Sequence, residues 1–386
     1  MDFFRFLMSD VLSEPAVLVG LIALIGLIAQ KKPVTECIKG TVKTIMGFVI
    51  LGAGAGLVVS SLGDFANIFQ HAFGIQGVVP NNEAIVSVAQ KSFGKEMAMI
   101  MFFAMVINIM IARFTPWKFI FLTGHHTLFM SMMVAVILAT AGMTGITLIA
   151  VGSLVVGVAM VFFPAIAHPY MKKVTGSDDV AIGHFSTLSY VLAGFIGSKF
   201  GNKEHSTEDM NVPKSLLFLR DTPVAISFTM SIIFLVTCLF AGADAVKELS
   251  GGKNWFMFSI MQSITFAAGV YIILQGVRMV IAEIVPAFKG ISDKLVPNAR
   301  PALDCPVVFP YAPNAVLVGF LSSFAAGLIG MFTLYLLNMI VIIPGVVPHF
   351  FVGAAAGVFG NATGGRRGAI LGAFAQGLLI TFLPVF

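Results

Sequence analysis

About ten stretches of this chain are apolar enough to sit in hydrocarbon, where every backbone N–H and C=O must be bonded within the protein. A transmembrane helix needs ~20 mainly apolar residues. Candidate spans fall near Ala16–Ala29, Ile45–Leu62, Met97–Ala112, Phe119–Ala139, Thr144–Ala165, Val224–Phe240, Phe256–Gln275, Ala315–Ile343, Phe350–Phe359 and Gly368–Pro384. The run Phe350–Phe359 is too short to cross unaided. Charged residues make up 11% of the chain and hydrophobic ones 58%, against roughly 25% charged in a soluble globular protein. The sequence predicts an all-α polytopic membrane protein.

Placing the amino terminus outside sorts the loop charges. The loops holding Lys31–Lys43, Arg113 and Lys118, Lys172–Arg220, Arg278–Arg300 and Arg366–Arg367 then carry 18 of the 23 lysines and arginines on the cytoplasmic side. The positive-inside rule supports this orientation. The net charge of +5 is a topology signal and gives no indication of nucleic-acid binding. No cleavable signal peptide is evident among Asp2, Asp10 and Glu14. The chain stops at Phe386 within an apolar run, from which a further helix in the natural protein is expected.

The longest polar connection, Met171–Asp221, divides the chain into a first membrane repeat (1–170), a cytoplasmic linker (171–220) and a second membrane repeat (221–386). Within the linker, Val180–Phe200 is apolar enough to re-enter the bilayer or lie at its surface, and Asn202–Val212 reads as a solvated loop. Five spans before the linker and about five after it give an odd number per half, the arithmetic of an inverted repeat. Ala72-Phe73-Gly74-Ile75 ahead of Val79-Pro80-Asn81 is echoed by Ala287-Phe288-Lys289-Gly290-Ile291 ahead of Val296-Pro297-Asn298.

Polar islands broken by proline interrupt both halves. One is Val79-Pro80-Asn81-Asn82-Glu83-Ala84; the other runs from Leu295-Val296-Pro297-Asn298 through Asp304-Cys305-Pro306 to Pro313-Asn314. Ionisable groups and interrupted helices are expensive in hydrocarbon, and they mark the cavity of something that crosses. Asp304 is the first candidate, because Pro306, Pro310 and Pro313 free backbone groups around it. The alternative is an ion pair with Arg300 that pins the hairpin. Asn82 and Glu83 form the matching pair in the first half, or else an outer loop.

His125 and His126 follow Thr123-Gly124. Adjacent helical residues point ~100° apart, so His125 is assigned to the cavity and His126 to packing or an interface. His184 follows Gly183, and a neutral imidazole suits a hydroxyl-rich ligand. Gly54 lies beside the same region. His71, His168, His205 and His349 receive no role. No phosphate-cradling loop, zinc motif or nucleophile elbow is present, and Cys37, Cys238 and Cys305 have neither metal nor disulfide spacing. No cofactor is implied.

Several segments resemble the ascorbate-specific membrane component (EIIC) of the bacterial phosphotransferase system. They are Lys39-Gly40-Thr41-Val42-Lys43-Thr44-Ile45, Leu122-Thr123-Gly124-His125, Ile182-Gly183-His184, Gln275-Gly276-Val277-Arg278-Met279, Leu303-Asp304-Cys305, Ala312-Pro313-Asn314-Ala315-Val316 and Gly357-Val358-Phe359. The resemblance implies a homodimeric inner-membrane permease of about eleven helices in two inverted repeats, with a V-shaped scaffold and a core of re-entrant hairpins. It also implies L-ascorbate or a related sugar as substrate, and a separate phosphorylated EIIB subunit that phosphorylates it. Carried over, the ligand set is Gly54, Asn82, Glu83, His125, Phe129, His184, Phe185 and Asp304. Asn82 and Glu83 stand where Thr and Tyr are usual, and Phe129 and Phe185 where glutamines are, which changes the pocket's hydrogen-bonding inventory. An ion-coupled secondary transporter using Glu83 and Asp304, or a permease for another sugar or polyol, is the alternative.

Overall fold

The computed structural model describes residues 15–74, 77–78, 82–210, 218 and 221–386. Its helices are α1 (Pro15–Ala29), α2 (Val34–Phe73), α3 (Asn82–Phe114), α4 (Gly124–Thr140), α5 (Gly145–Thr175), α6 (Thr187–Phe200), α7 (Thr222–Ala241), α8 (Ala243–Leu249), α9 (Trp255–Leu295), α10 (Pro313–Leu336) and α11 (Val346–Phe382). Short strands lie between them: β1 (Gly77–Val78), β2 (Phe119–Phe121), β3 (Ala181–Ile182), β4 (Arg300–Leu303) and β5 (Val341–Ile342). Among the described residues, six helices are long and apolar enough to cross a membrane. The number is seven if α7 and α8, bent by 109°, are one span.

The spans differ from the sequence reading where the chain breaks. Phe119–Ala139, expected as one crossing, is strand β2 followed by the 17-residue α4. Ala315–Ile343 stops as a helix at Leu336 and returns as β5. Phe350–Phe359 and Gly368–Pro384 are instead two arms of α11, broken at Gly364 (φ −150°) and Gly365 (φ 59°). A Cβ on Gly365 would also lie 2.2 Å from the Asn202 carbonyl oxygen, so this break requires glycine twice over.

The two longest helices, α2 (40 residues) and α9 (41 residues), pack along each other. They touch at Gly54, where a Cβ would lie 2.7 Å from both the Gly269 carbonyl oxygen and the Ile273 amide nitrogen. This is the close backbone approach that small residues permit between apolar helices.

Strands β2, β4 and β3 form a parallel sheet in that order, with Phe121 opposite Ala302 and Ile182 opposite Leu303. β1 and β5 form a second parallel pair. Pairing thus crosses between the halves of the chain: β1 takes β5, and β4 takes β2 and β3. The free edge of β2 would leave backbone groups unpaired in apolar surroundings. The fully buried Asn108 of α3 replaces the missing strand. Its Nδ2 donates to the Phe119 carbonyl (2.9 Å), and its Oδ1 accepts from the Phe121 amide (3.0 Å).

Arg300, considered from sequence as the partner of Asp304, pairs with Asp178 at the other end of β4. Lys172 Nζ (2.6 Å) and His168 Nε2 (2.7 Å) meet the same carboxylate. Lys172, then His168 and Arg300, hold the Asp178 carboxyl well below the usual range. The pair ties the segment after α5 to the start of β4. The segment Asn202–Val212 is also not simply solvated over its described part. Glu208 accepts from the Asn314 (2.9 Å) and Ala315 (3.1 Å) amides and so caps α10, while Thr207 is fully buried.

Asn108→Leu should keep the apolar volume but orphan one N–H and one C=O of β2. A loss of about 1–3 kcal/mol per group is expected, read as a lower thermal unfolding midpoint in nanodiscs. An unchanged midpoint would show that the edge finds other partners.

Candidate functional site

Each strand of the three-stranded sheet ends in a turn that delivers a polar side chain. β2 runs into Thr123-Gly124 and then His125 and His126 in the first turn of α4. β3 runs into Gly183 and His184, just ahead of α6. β4 ends at Asp304, which caps the 3₁₀ segment Cys305–Tyr311 by accepting from the Cys305 amide (2.7 Å). In open parallel α/β sheets ligands bind outside the carboxyl ends of the strands, and here the polar side chains gather at that same end. The turns are locked together. Leu122 N donates to Ala302 O (2.9 Å), Gly183 N to Leu303 O (2.6 Å) and Thr123 Oγ1 to Gly183 O (2.5 Å). A Cβ on Gly183 would lie 2.5 Å from the Ala302 carbonyl oxygen, so the turn before His184 excludes any larger residue.

Three imidazoles surround one carboxylate. His125 Nε2 lies 3.6 Å from Asp304 Oδ2, His126 Nε2 lies 3.8 Å from Oδ1, and His184 Nε2 lies 4.0 Å from Oδ1. All four side chains are at most 16% exposed. The separations are too long for direct hydrogen bonds, so the carboxylate keeps acceptor capacity toward the cavity. Ser186 N donates to His184 Nδ1 (2.9 Å), which leaves the proton of the neutral ring on Nε2, facing Asp304.

The cluster forms one wall of a cavity of about 260 Å³. Phe129, Val270, Ile273 and Phe351 give it apolar walls. Segments following β5, from Pro344 to Val352, close it from the second half of the chain. A few convergent polar groups on apolar walls are the usual make-up of a small-molecule site.

The residues singled out from sequence separate as follows. His125, Phe129, His184 and Asp304 share the cavity wall. His126, assigned to packing, shares it too. Asp304 sits across the start of α4, between the directions of two neighbouring rings, so both reach it. Gly54 lies at the α2–α9 contact and meets the cavity only through its neighbour Ile273. Phe185 packs on Phe121 (5.0 Å between ring centres) and Phe163 (5.8 Å), outside the cavity wall. Asn82 opens α3, and the side chains of Asn82 and Glu83 lie outside the described residues.

His349, given no role from sequence, also lines the cavity. Its Nδ1 lies 2.7 Å from Ser323 Oγ, which donates to Gln376 Oε1 (2.6 Å). The one available signal was the Pro344-Gly345 break just ahead of it.

Residues 10–386 match the family model described as PTS system sugar-specific permease component, EIIC-GAT. The chain is similar to the ascorbate-specific PTS system EIIC component of Mycoplasma pneumoniae, with 27% identity over an alignment of 426 residues covering 95% of this chain. It spans 64% of the length of that relative.

Asp304→Asn keeps an acceptor for the Cys305 amide, so the fold should survive while the charge among the imidazoles is lost. A ligand that fills the cavity should bind at least about tenfold more weakly to the variant, measured by titration. His126→Ala should weaken binding as much as His125→Ala; a neutral His126→Ala would return that ring to packing.

Proposed function

Because the chain belongs to the family of sugar-specific permease components of the phosphotransferase system, we propose that it imports a small sugar acid, with L-ascorbate as the leading candidate. It is a multi-pass membrane protein. The observation that carries the proposal is the convergence of His125, His126, His184 and Asp304 on one cavity where both halves of the chain meet. The name of the Mycoplasma pneumoniae relative supports ascorbate in particular.

In this reading, residues 1–170 and 221–386 are two inverted repeats joined by 171–220. The crossed pairing of β1 with β5, and of β4 with β2, supports that relation. The long helices α2 and α9 belong to a scaffold through which two copies dimerise. The short sheet and its turns belong to a core that moves to expose the cavity alternately on each side.

His184 Nε2–H donates to a ligand oxygen, His125 and His126 exchange hydrogen bonds with ligand hydroxyls, and Asp304 accepts from and orients the hydroxyl to be phosphorylated. Phe129 offers a ring face in place of an amide, which suits stacking on a sugar ring and leaves the polar contacts to the imidazoles. A separate cytosolic EIIB subunit carries the phosphoryl group, so the permease needs no nucleophile of its own.

Uptake of labelled ascorbate should require the cytosolic phosphocarriers and deliver the phosphorylated sugar. Accumulation of unmodified sugar without them, or uptake that collapses with an uncoupler while they are intact, would overturn the proposal in favour of ion coupling.

A further inference from the structure

We propose that His125, His126 and Asp304 form a binding site for one divalent transition-metal ion of the zinc class, inside the cavity and in competition with its organic ligand. The inference rests on the geometry of the cavity and stands apart from the transport reading.

One ring nitrogen each of His125 and His126 and one carboxylate oxygen of Asp304 lie within 4.8 Å of one another, and the nearest Nε2 contacts reach opposite oxygens, Oδ2 from His125 and Oδ1 from His126. The two imidazole-to-carboxylate separations are 3.6 Å and 3.8 Å. Zinc holds nitrogen and oxygen ligands at about 2.0–2.2 Å, so two ligands of one tetrahedral ion sit roughly 3.3–3.6 Å apart. Side-chain movements of no more than about 1.5 Å therefore let one ion bridge these groups. As they stand, the separations are too long for hydrogen bonds. A cation would satisfy a carboxylate that is otherwise expensive to bury.

The donor set decides the class of ion. Two imidazoles and one carboxylate suit zinc, and also copper(II) or nickel(II). Magnesium and calcium prefer sites built wholly from oxygen. The fourth position faces the cavity and is open to water or to a ligand oxygen.

His184 completes the arrangement from outside the ligand set. The Ser186 amide occupies its Nδ1, so its Nε2 carries a proton and is not a free ligand atom, lying 4.0 Å from Asp304 Oδ1. The Cys305 amide holds Asp304 Oδ1 from the other side (2.7 Å). A backbone hydrogen bond of this kind orients a ligating carboxylate. No metal spacing exists in the sequence, because His125 and His126 come from the turn after β2 and Asp304 from the turn after β4.

The test uses the purified full chain in nanodiscs, stripped of metal and dialysed to equilibrium against Zn²⁺, with bound metal counted by mass spectrometry. About one ion per chain is expected. His126→Gln and Asp304→Asn should each bind at least about tenfold more weakly, and His71→Gln should bind as the wild type does. Absence of stoichiometric zinc, wild-type affinity in His126→Gln, or loss in His71→Gln would each overturn the proposal. If His126→Gln fails to fold, Co²⁺ substituted into the wild type decides: intense visible bands of a four-coordinate ion support the site, and only weak six-coordinate bands sink it. Zinc binding without phosphocarrier-dependent uptake would remove the permease reading and leave this one. Such uptake without zinc binding would do the reverse.

Discussion

A backbone entering hydrocarbon without a helix around it must find hydrogen-bond partners, and much of this molecule answers that requirement. Three short segments leave helical structure near Phe119, Ala181 and Arg300, and they pair with one another instead. Where pairing runs out at the edge of β2, the Asn108 amide substitutes for a strand. The consequence is chemical as well as structural. Once the three segments are bonded in register, the residues after them cannot occupy independent positions. His125, His184 and Asp304 are brought together because the backbone behind them has no cheaper arrangement.

Charge placement follows the same economy at both ends of that sheet. At the Arg300 end, Asp178 is met by Lys172, His168 and Arg300, and the pairing is direct. At the other end, Asp304 accepts from the Cys305 amide (2.7 Å), and its ion-pair neighbours among the described residues are imidazoles 3.6–4.0 Å away, with no lysine or arginine. A carboxylate fully neutralised by local donors has little left to offer a ligand. One surrounded at a distance by weak donors keeps its acceptor capacity. The four residues from Arg300 to Leu303 separate a structural ion pair from a site available for binding.

Much of the helical architecture was legible from hydropathy, and the polar residues of the site stood out against it. Asp304, His125 and His184 each follow a proline or glycine break in apolar sequence, so their chemistry was visible before their geometry. The strands were not. Phe119–Phe121 is apolar and continuous with a longer apolar run, and over three residues nothing distinguishes strand from helix. His126 was misplaced because a single-helix argument ignored an acceptor arriving from another segment. Asn108 and Glu208 look like ordinary polar residues on a helix and in a loop. Their roles exist only relative to a β2 edge and an α10 terminus that sequence does not bring near them. His349 depended on recognising Pro344-Gly345 as a second break of the same type.

The contact between Gly54 and Gly269 has a mechanical consequence. Gly54 is near the middle of α2, leaving an arm of about 20 residues, or ~30 Å, on either side. With no side chain on either glycine, the two backbones come close there, and the helices stay packed beyond it: Gln262 of α9 accepts from Ser61 Oγ (3.2 Å) and donates to Asp64 Oδ2 (2.6 Å) of α2. Ile273, packed against Gly54 and lining the cavity, is therefore fixed by the spacing of those two backbones. A side chain at either glycine would push the helices apart and carry that wall of the cavity with them.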